Sequence, residues 1–265
     1  MNIGIVGLGV VGGAVRHGLE RLGHKVCYHD TAMNTHLRNV LDAEICYICV
    51  PTPSDENGDC DTSVVEGVVR DLVHHDYKGI IAIKSTVIPG TTKRLQMKYD
   101  CERICFVPEF LRERCALADF VENHDVCVIG AQNDAIFEKI KKSHGKYPQS
   151  IVQLAPTEAE LVKYFNNTFF AMLITYANSF YEICKALDSD YDAVKEAITK
   201  RKFISDYYLD CSENLRGFGG VCLPKDTKAF NRLIQKLDLD IDLFETILKE
   251  NSKYKTTVYE GMRNE

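Results

Sequence analysis

Residues 2–30 read NIGIVGLGVVGGAVRHGLERLGHKVCYHD, and the order of elements within them decides the fold. A short apolar run, Asn2 to Val6, is followed at once by GLGVVG, which sets Gly7, Gly9 and Gly12 around Val10 and Val11 at the head of a stretch, Val10 to Leu22, with apolar residues at helical spacing. A second apolar run, Lys25 to Asp30, closes the unit. Strand, glycine turn, helix and strand in this order form a βαβ unit, whose glycines permit the tight turn, let the backbone approach a pyrophosphate and allow helix to pack on sheet. Asp30 ends the second strand 18 residues after Gly12. An acid at that position can accept hydrogen bonds from ribose hydroxyls and would repel a 2'-phosphate, which predicts NAD rather than NADP as the cofactor. The plainer role for Asp30, starting a turn, needs no cofactor.

Outward from this unit the first half keeps the same grammar. Short apolar runs recur at Glu44 to Val50, Gly79 to Ser85, Arg103 to Val107, Asp125 to Gly130 and Ser150 to Leu154, with helix-like stretches such as Thr62 to His74 between several of them. Alternation of this kind predicts a doubly wound parallel sheet covered by helices on both faces. After Leu154 the pattern turns helical, and Thr157 with Glu160 has the spacing of a capping box. The reading is therefore an α/β domain over 1–155 followed by an all-helical domain over 156–265.

Composition narrows the function classes. The 32 basic and 38 acidic residues give a net charge of −6, and no basic stretch could track a phosphate backbone, so nucleic acid is excluded as a partner. No segment has the length of a membrane span and the N-terminus lacks the layout of a signal peptide, which points to a cytoplasmic protein. Eleven cysteines are present; they read as reduced thiols. Cys46 and Cys49 form a CxxC inside a predicted strand, where residues three apart point to opposite faces, so neither a metal nor a disulfide is expected there.

Chemistry concentrates in the second half. Arg216 to Asp226 reads RGFGGVCLPKD: glycines that let backbone press against a ligand, then a thiol, a cation and a carboxylate. Pro224 suits the first turn of a helix running through Ala229, Leu233 and Leu237, which sets Cys222 just before its positive end. That position, together with Lys225 or Lys163, favours the thiolate, the form that attacks a carbonyl. Lys163 and Asn167 are four apart and share a helix face; their types can polarise a hydroxyl or hold an oxyanion. Glu109 and Glu113, in PEFLRE at 108–113, follow a strand end where a carboxylate can serve as acid or base. The same crevice takes Ser85 and Thr86, and the turn Val50-Pro51-Thr52-Pro53.

GLGVVG, VPTP, STVIPGTT, PEFLRE, the Lys163/Asn167 helix and GFGGVCLPKD occur here in one order, and in that order the chain resembles the UDP-glucose/GDP-mannose dehydrogenase family over nearly its whole length. The resemblance implies a Rossmann-type domain followed by a helical domain of the 6-phosphogluconate-dehydrogenase kind. It implies NAD-dependent, four-electron oxidation of a nucleotide-sugar C6 alcohol to a carboxylate, most simply UDP-glucose to UDP-glucuronate. Cys222 would carry a thiohemiacetal and then a thioester. Lys163, Asn167 and Asp226 would hold the alcohol oxygen and a water, with Glu109 the acid/base for hydrolysis and Thr86 assisting. Substrate contacts would come from Glu109, Phe110, Leu111, Arg112, Glu113, Tyr208, Gly217, Phe218, Gly219 and Gly220, and Glu113 would also approach the cofactor. The family further implies a homodimer through the long central helix.

Three departures bear on the substrate. The chain ends at Glu265, short of the family's C-terminal nucleotide-binding domain and its UDP contacts. Asn123-His124-Asp125 follows Asp119-Phe120 where the family has PDR. Val221-Cys222-Leu223 replaces a Ser-Cys-Phe core, and Asn178-Ser179 an Asn-Glu pair. Two other readings remain open from the residues: a two-electron hydroxy-acid dehydrogenase, which needs no Cys222, and a non-catalytic NAD-binding partner subunit.

Overall fold

The computed structural model describes residues 1–257; positions 258–265, the end of the predicted helical domain, lie outside the described residues. Every predicted apolar run of the first half is a strand: β1 Asn2–Val6, β2 Lys25–His29, β3 Ile45–Ile48, β4 Ile80–Ile83, β5 Ile104–Phe106, β6 Val126–Gly130 and β7 Ser150–Leu154. They form one sheet in the order β2-β1-β3-β4-β5-β6-β7. Helices α1 Val10–Arg21, α2 Ser63–His74, α3 Thr91–Tyr99, α4 Ala116–Val121 and α5 Asp134–His144 connect the strands. Strand order reverses at β1, whose Val6 lies in register with His29 of β2 and Ile48 of β3. A crevice opens at such a switch point beyond the carboxyl ends of the strands.

The doubly wound fold is as predicted, yet the sheet is not parallel throughout. β5 pairs antiparallel with β6 through Phe106 and Gly130, and β7 follows β6 in parallel. The cause is the connection. A parallel crossover needs a helix long enough to return the chain to the opposite sheet edge, and the six residues of α4 rise only about 9 Å. The chain stays near the end of β5 and the next strand runs back.

Each central strand feeds two apolar cores, one per sheet face. Ile45 and Tyr47 join Ile3, Ile5 and Leu19 on one face, whereas Cys46 and Ile48 join Val65, Leu72 and Leu95 on the other. Cys46 and Cys49 fall in different cores, as their spacing predicts, and burial pushes the Cys49 thiol up to about 12. None of the eleven cysteines is in a disulfide.

Helix α6, Pro156–Ala186, begins directly after β7, and its start corrects one expectation. The capping box of Thr157 and Glu160 does not form, because Pro156 is already helical and the start lies earlier. Glu158 takes the reciprocal role, accepting from the Ala155 N–H at 2.9 Å. Glu160 is fully buried and faces the first turn of α3, where it accepts from the Gly90 and Thr92 N–H groups at 2.5 and 2.8 Å and from the Thr92 hydroxyl at 2.6 Å. The chain divides into two compact units, Met1–Asp55 with Cys60–Lys163, and Glu56–Asp59 with Tyr164–Glu265. The division falls inside α6 rather than at residue 155, because Ala159 and Val162 pack in the core of the first unit.

The second unit holds the rest of α6 with α7 Tyr191–Thr199, α8 Leu223–Lys236 and α9 Leu243–Asn251. Its cores are small, one around Ala177, Cys184 and Tyr191, another around Ala171, Phe218 and Ile247. Asp76, Asp100, Asp188 and Asp238, just past the ends of α2, α3, α6 and α8, adopt left-handed backbone conformations, which aspartate tolerates better than most residues. No helix among the described residues is long and apolar enough to cross a membrane.

His144, buried at the end of α5 against Tyr47 and Phe120, makes stability pH-dependent. Burial, then the nearby Lys84, pushes its imidazole down to about 3. The unfolded chain protonates this histidine below about 6.5, so its contribution is complete above that pH and is lost as pH falls from about 6.5 towards 3. The urea midpoint should therefore drop between pH 7.5 and 5. His144→Phe should reduce that drop; an equally steep fall in the variant refutes the assignment.

Candidate active site

The first unit gathers its predicted cofactor residues at the carboxyl ends of β1, β3 and β4. Gly7 has φ +89° and donates its N–H to the His29 carbonyl at 2.9 Å; a Cβ there would sit 2.6 Å from the Cys49 carbonyl oxygen. A Cβ on Gly12 would meet the Gly7 carbonyl oxygen at 1.9 Å. Gly9 differs, since its Cβ would meet no protein atom within 4 Å. The protein's own packing does not require glycine there, and the open space leaves room for a pyrophosphate at the start of α1. The donor set thus fits NAD, held by the N–H groups at the start of α1 with Asp30 beside them.

Asp30 starts a turn, the plainer of its two expected roles, and also contacts the glycine loop. One oxygen accepts from the Ala32 N–H at 2.8 Å and caps a short turn, Thr31–Met33. The other accepts from the Leu8 N–H in the glycine loop at 2.7 Å. These bonds, that from Leu8 foremost, hold its pKa below the usual carboxylate range. Ser85 spends its hydroxyl on the Val50 carbonyl at 2.6 Å, fixing the turn that carries Pro51, buried Thr52 and Pro53. The Thr86 carbonyl accepts from the Cys60 thiol.

After β5 the chain places Glu109 against Lys163. The ammonium donates to the Glu109 carboxylate at 2.9 Å and to its backbone carbonyl at 2.7 Å; the second carboxylate oxygen accepts from the Leu111 N–H at 2.7 Å. Burial pushes the Glu109 pKa up, and Lys163 more than reverses it, leaving the carboxyl ionised. Lys163 also lies 5.7 Å from the centre of the Phe110 ring. Arg112 makes a two-point contact with Asp119 at 2.7 and 3.0 Å. Burial would raise Asp119, but these bonds bring it down to about 2. Glu113 opens a short turn, Glu113–Cys115. Sequence reasoning passed over Lys84, which is buried below this loop with its ammonium 3.2 Å from the Val107 carbonyl and its pKa lowered by burial. A lysine closing the apolar run Ile80 to Ile83 was the available signal.

In the second unit Cys222 directly precedes α8, as predicted, with Pro224 in the first turn. It is the exposed member of the eleven cysteines. Asp226 is buried and accepts from the Asn167 amide and the Lys225 ammonium, each at 2.5 Å, while its N–H bonds the Cys222 carbonyl at 2.9 Å. Lys163 and Asn167 thus lie one turn apart on α6, each paired with a different acid. The other predicted substrate residues of this unit lie on the loop before Cys222 or against α6. The Phe218 side chain is a core residue beside Ala171 and Ile247. Gly217 faces Asn251, whose Oδ1 would lie 2.8 Å from an added Cβ. Gly220 has φ +75° and Gly219 is half-buried. Tyr208 stacks on Phe170 with ring centres 4.3 Å apart.

Asp30→Ala should weaken NAD binding about tenfold, roughly 1.4 kcal/mol, and narrow the preference over NADP. Calorimetric titration with both nucleotides reads this directly; unchanged NAD affinity would remove Asp30 from the cofactor site.

Comparison with known proteins matches residues 31–146 to the NAD binding domain, and residues 157–253 to the central domain, of the UDP-glucose/GDP-mannose dehydrogenase family. GDP-mannose 6-dehydrogenase of Pseudomonas putida is 28% identical over 98% of this chain and 70% of its own length. UDP-glucose 6-dehydrogenase of Rickettsia bellii is 30% identical over 88% of this chain and 54% of its own. Among solved structures, a UDP-glucose dehydrogenase from the hyperthermophilic archaeon Pyrobaculum islandicum superposes with a TM-score of 0.87 at 29% identity, covering 95% of this chain and 68% of that one. The chain spans about half the length of most of the curated relatives it matches. With both domains matched in order, the chain belongs to the UDP-glucose/GDP-mannose dehydrogenase family.

Proposed function

We propose that the protein is an NAD-dependent nucleotide-sugar dehydrogenase that oxidises a C6 alcohol to a carboxylate through Cys222, with UDP-glucose the leading substrate. The observation that carries this reading is the setting of Cys222: the exposed thiol among eleven, placed at the start of α8 beside a buried Asn167–Asp226–Lys225 network. Relatives bearing the names GDP-mannose 6-dehydrogenase and UDP-glucose 6-dehydrogenase support the reaction class. Eleven cysteines with no disulfide among them support work in the cytoplasm.

Bound NAD supplies the hydride acceptor for each of the two oxidations. Asp226, anchored on both oxygens, and Asn167 hold the substrate alcohol and a water, with Lys163 polarising the oxygen. In the first oxidation the C6 hydride passes to NAD and the hydroxyl proton leaves through the held water to solvent; the Cys222 thiolate then adds to the aldehyde carbon, and the same water returns a proton to the oxygen, giving a thiohemiacetal. Its oxidation gives the thioester, in which no free aldehyde is released. Glu109, kept ionised by Lys163, takes the proton from the water that attacks the thioester, and the Cys222 thiolate leaves. Thr86 orients that water.

The subunits pair through α6. Phe165, Phe169, Tyr176, Phe180 and Ile183 repeat at helical spacing, and all are exposed, Phe165 at 73%. An apolar stripe of this length supports a partner helix related by a two-fold axis.

Incubation with NAD and either UDP-glucose or GDP-mannose should yield two NADH per sugar. Cys222→Ser should lower carboxylate formation by about 1,000-fold or more. One NADH per turnover, or a serine variant with parental kcat, would sink the thioester route. Light scattering should give twice the 30.0 kDa chain mass, reduced to the monomer by Phe169→Glu; a monomeric parent protein contradicts the α6 contact.

A further inference from the structure

The loop that leads to Cys222 is fixed at its upstream end by Asn251 of α9 and Thr257 after it. Asn251 closes α9 and is buried. Its amide reads the backbone of Phe218 in both directions, accepting from the N–H at 2.8 Å and donating to the C=O at 3.0 Å. Thr257 does the same for Arg216: its hydroxyl accepts from the Arg216 N–H and donates to the Arg216 C=O, both at 2.9 Å. The Thr257 N–H adds a bond to the Gly217 carbonyl at 2.9 Å. The guanidinium of Arg216 is stacked between Tyr181 and Tyr254, 4.8 and 4.6 Å from the ring centres, and donates to Asn178 at 2.8 Å. A Cβ on Gly217 would lie 2.8 Å from the Asn251 Oδ1 of this clamp and would push against it.

We infer that Asn251 and Thr257 are positioning residues for the Cys222 thiol, which they set through the backbone of residues 216–218. The inference rests on the reading of Cys222 as nucleophile. Downstream, the backbone of Cys222 is held by the bond from the Asp226 N–H to the Cys222 carbonyl. Upstream stand Gly219 and Gly220, which are conformationally permissive and leave the approach to the thiol undefined unless something beyond them is rigid. Phe218, clamped by Asn251 and packed in the core with Ala171 and Ile247, provides that rigid point. Attack on an aldehyde carbon needs the sulfur within a near-attack geometry, where a displacement of about 1 Å costs on the order of 100-fold in rate.

The test compares three variants of the whole chain. Thr257→Val keeps the side-chain shape and removes both hydroxyl bonds, Asn251→Leu removes both amide bonds, and Thr257→Ser keeps the hydroxyl. With NAD and the nucleotide sugar that the parent turns over, the first two should lower kcat by about tenfold or more while leaving KM for sugar and NAD nearly unchanged. They should also release aldehyde that added semicarbazide captures, and shift the rate of Cys222 alkylation by iodoacetamide by about threefold or more; Thr257→Ser should match the parent. Parental kcat and alkylation rate in both disruptive variants overturn the inference, as does a Thr257→Ser variant that fails like Thr257→Val. Should Asn251→Leu not fold, the Thr257 pair decides alone. If the parent oxidises no nucleotide sugar, the reading of Cys222 as nucleophile fails, whereas the alkylation rates still decide whether the clamp sets the thiol.

Discussion

Removing the Lys163 ammonium and the Glu109 carboxylate from water costs several kcal/mol for each ion, and the first unit is arranged so that neither charge is left unmatched. Lys163 bonds both the carboxylate and the backbone carbonyl of the same residue, and the remaining carboxylate oxygen takes the Leu111 N–H. The pair fastens the loop after β5 to the first turns of α6, while buried Glu160, farther up the same helix, caps the start of α3. Loss of either partner of the Lys163–Glu109 pair would leave a buried ion alone. The orientation of the Pro108–Glu113 segment, and with it the acid/base group of the proposed chemistry, depends on this contact.

Much of the fold is legible in the sequence because its signals are local. Seven apolar runs bounded by glycine, aspartate and proline are the seven strands, and the glycine spacing with Asp30 marks the crevice before any pairing is known. Direction is another matter: nothing within β6 or β7 states that they run against the other strands, since the short α4 outside them imposes it. Partner choice is equally distant. Sequence supplies Lys163, Asn167, Glu109 and Asp226 as the right residue types on the right elements, but Lys163 finds Glu109 across 54 residues and Asn167 finds Asp226 across 59. Thr157 and Glu160 have the spacing of a capping box without its position, since they lie inside a helix that Pro156 already begins.

Glycine illustrates why motif and role must be separated. Gly12 is glycine because the Gly7 carbonyl lies against it, Gly217 because Asn251 does, and Gly9 for no reason found in the protein itself. The third kind is the informative one for ligand binding, since open space in place of a missing Cβ is space for something else. In the loop before Cys222, whose glycines are expected to face substrate, the first of them packs against Asn251 at the end of α9.

The aspartates that end α2, α3, α6 and α8 in left-handed conformations carry a consequence for engineering. Each places a negative charge at the negative end of a helix dipole, unfavourable by roughly 0.3–1 kcal/mol, in a backbone state that glycine adopts without strain. Thermal tolerance in this chain can therefore be raised at four surface turns, by substitutions that leave the cofactor loop, the buried ion pairs and the thiol untouched.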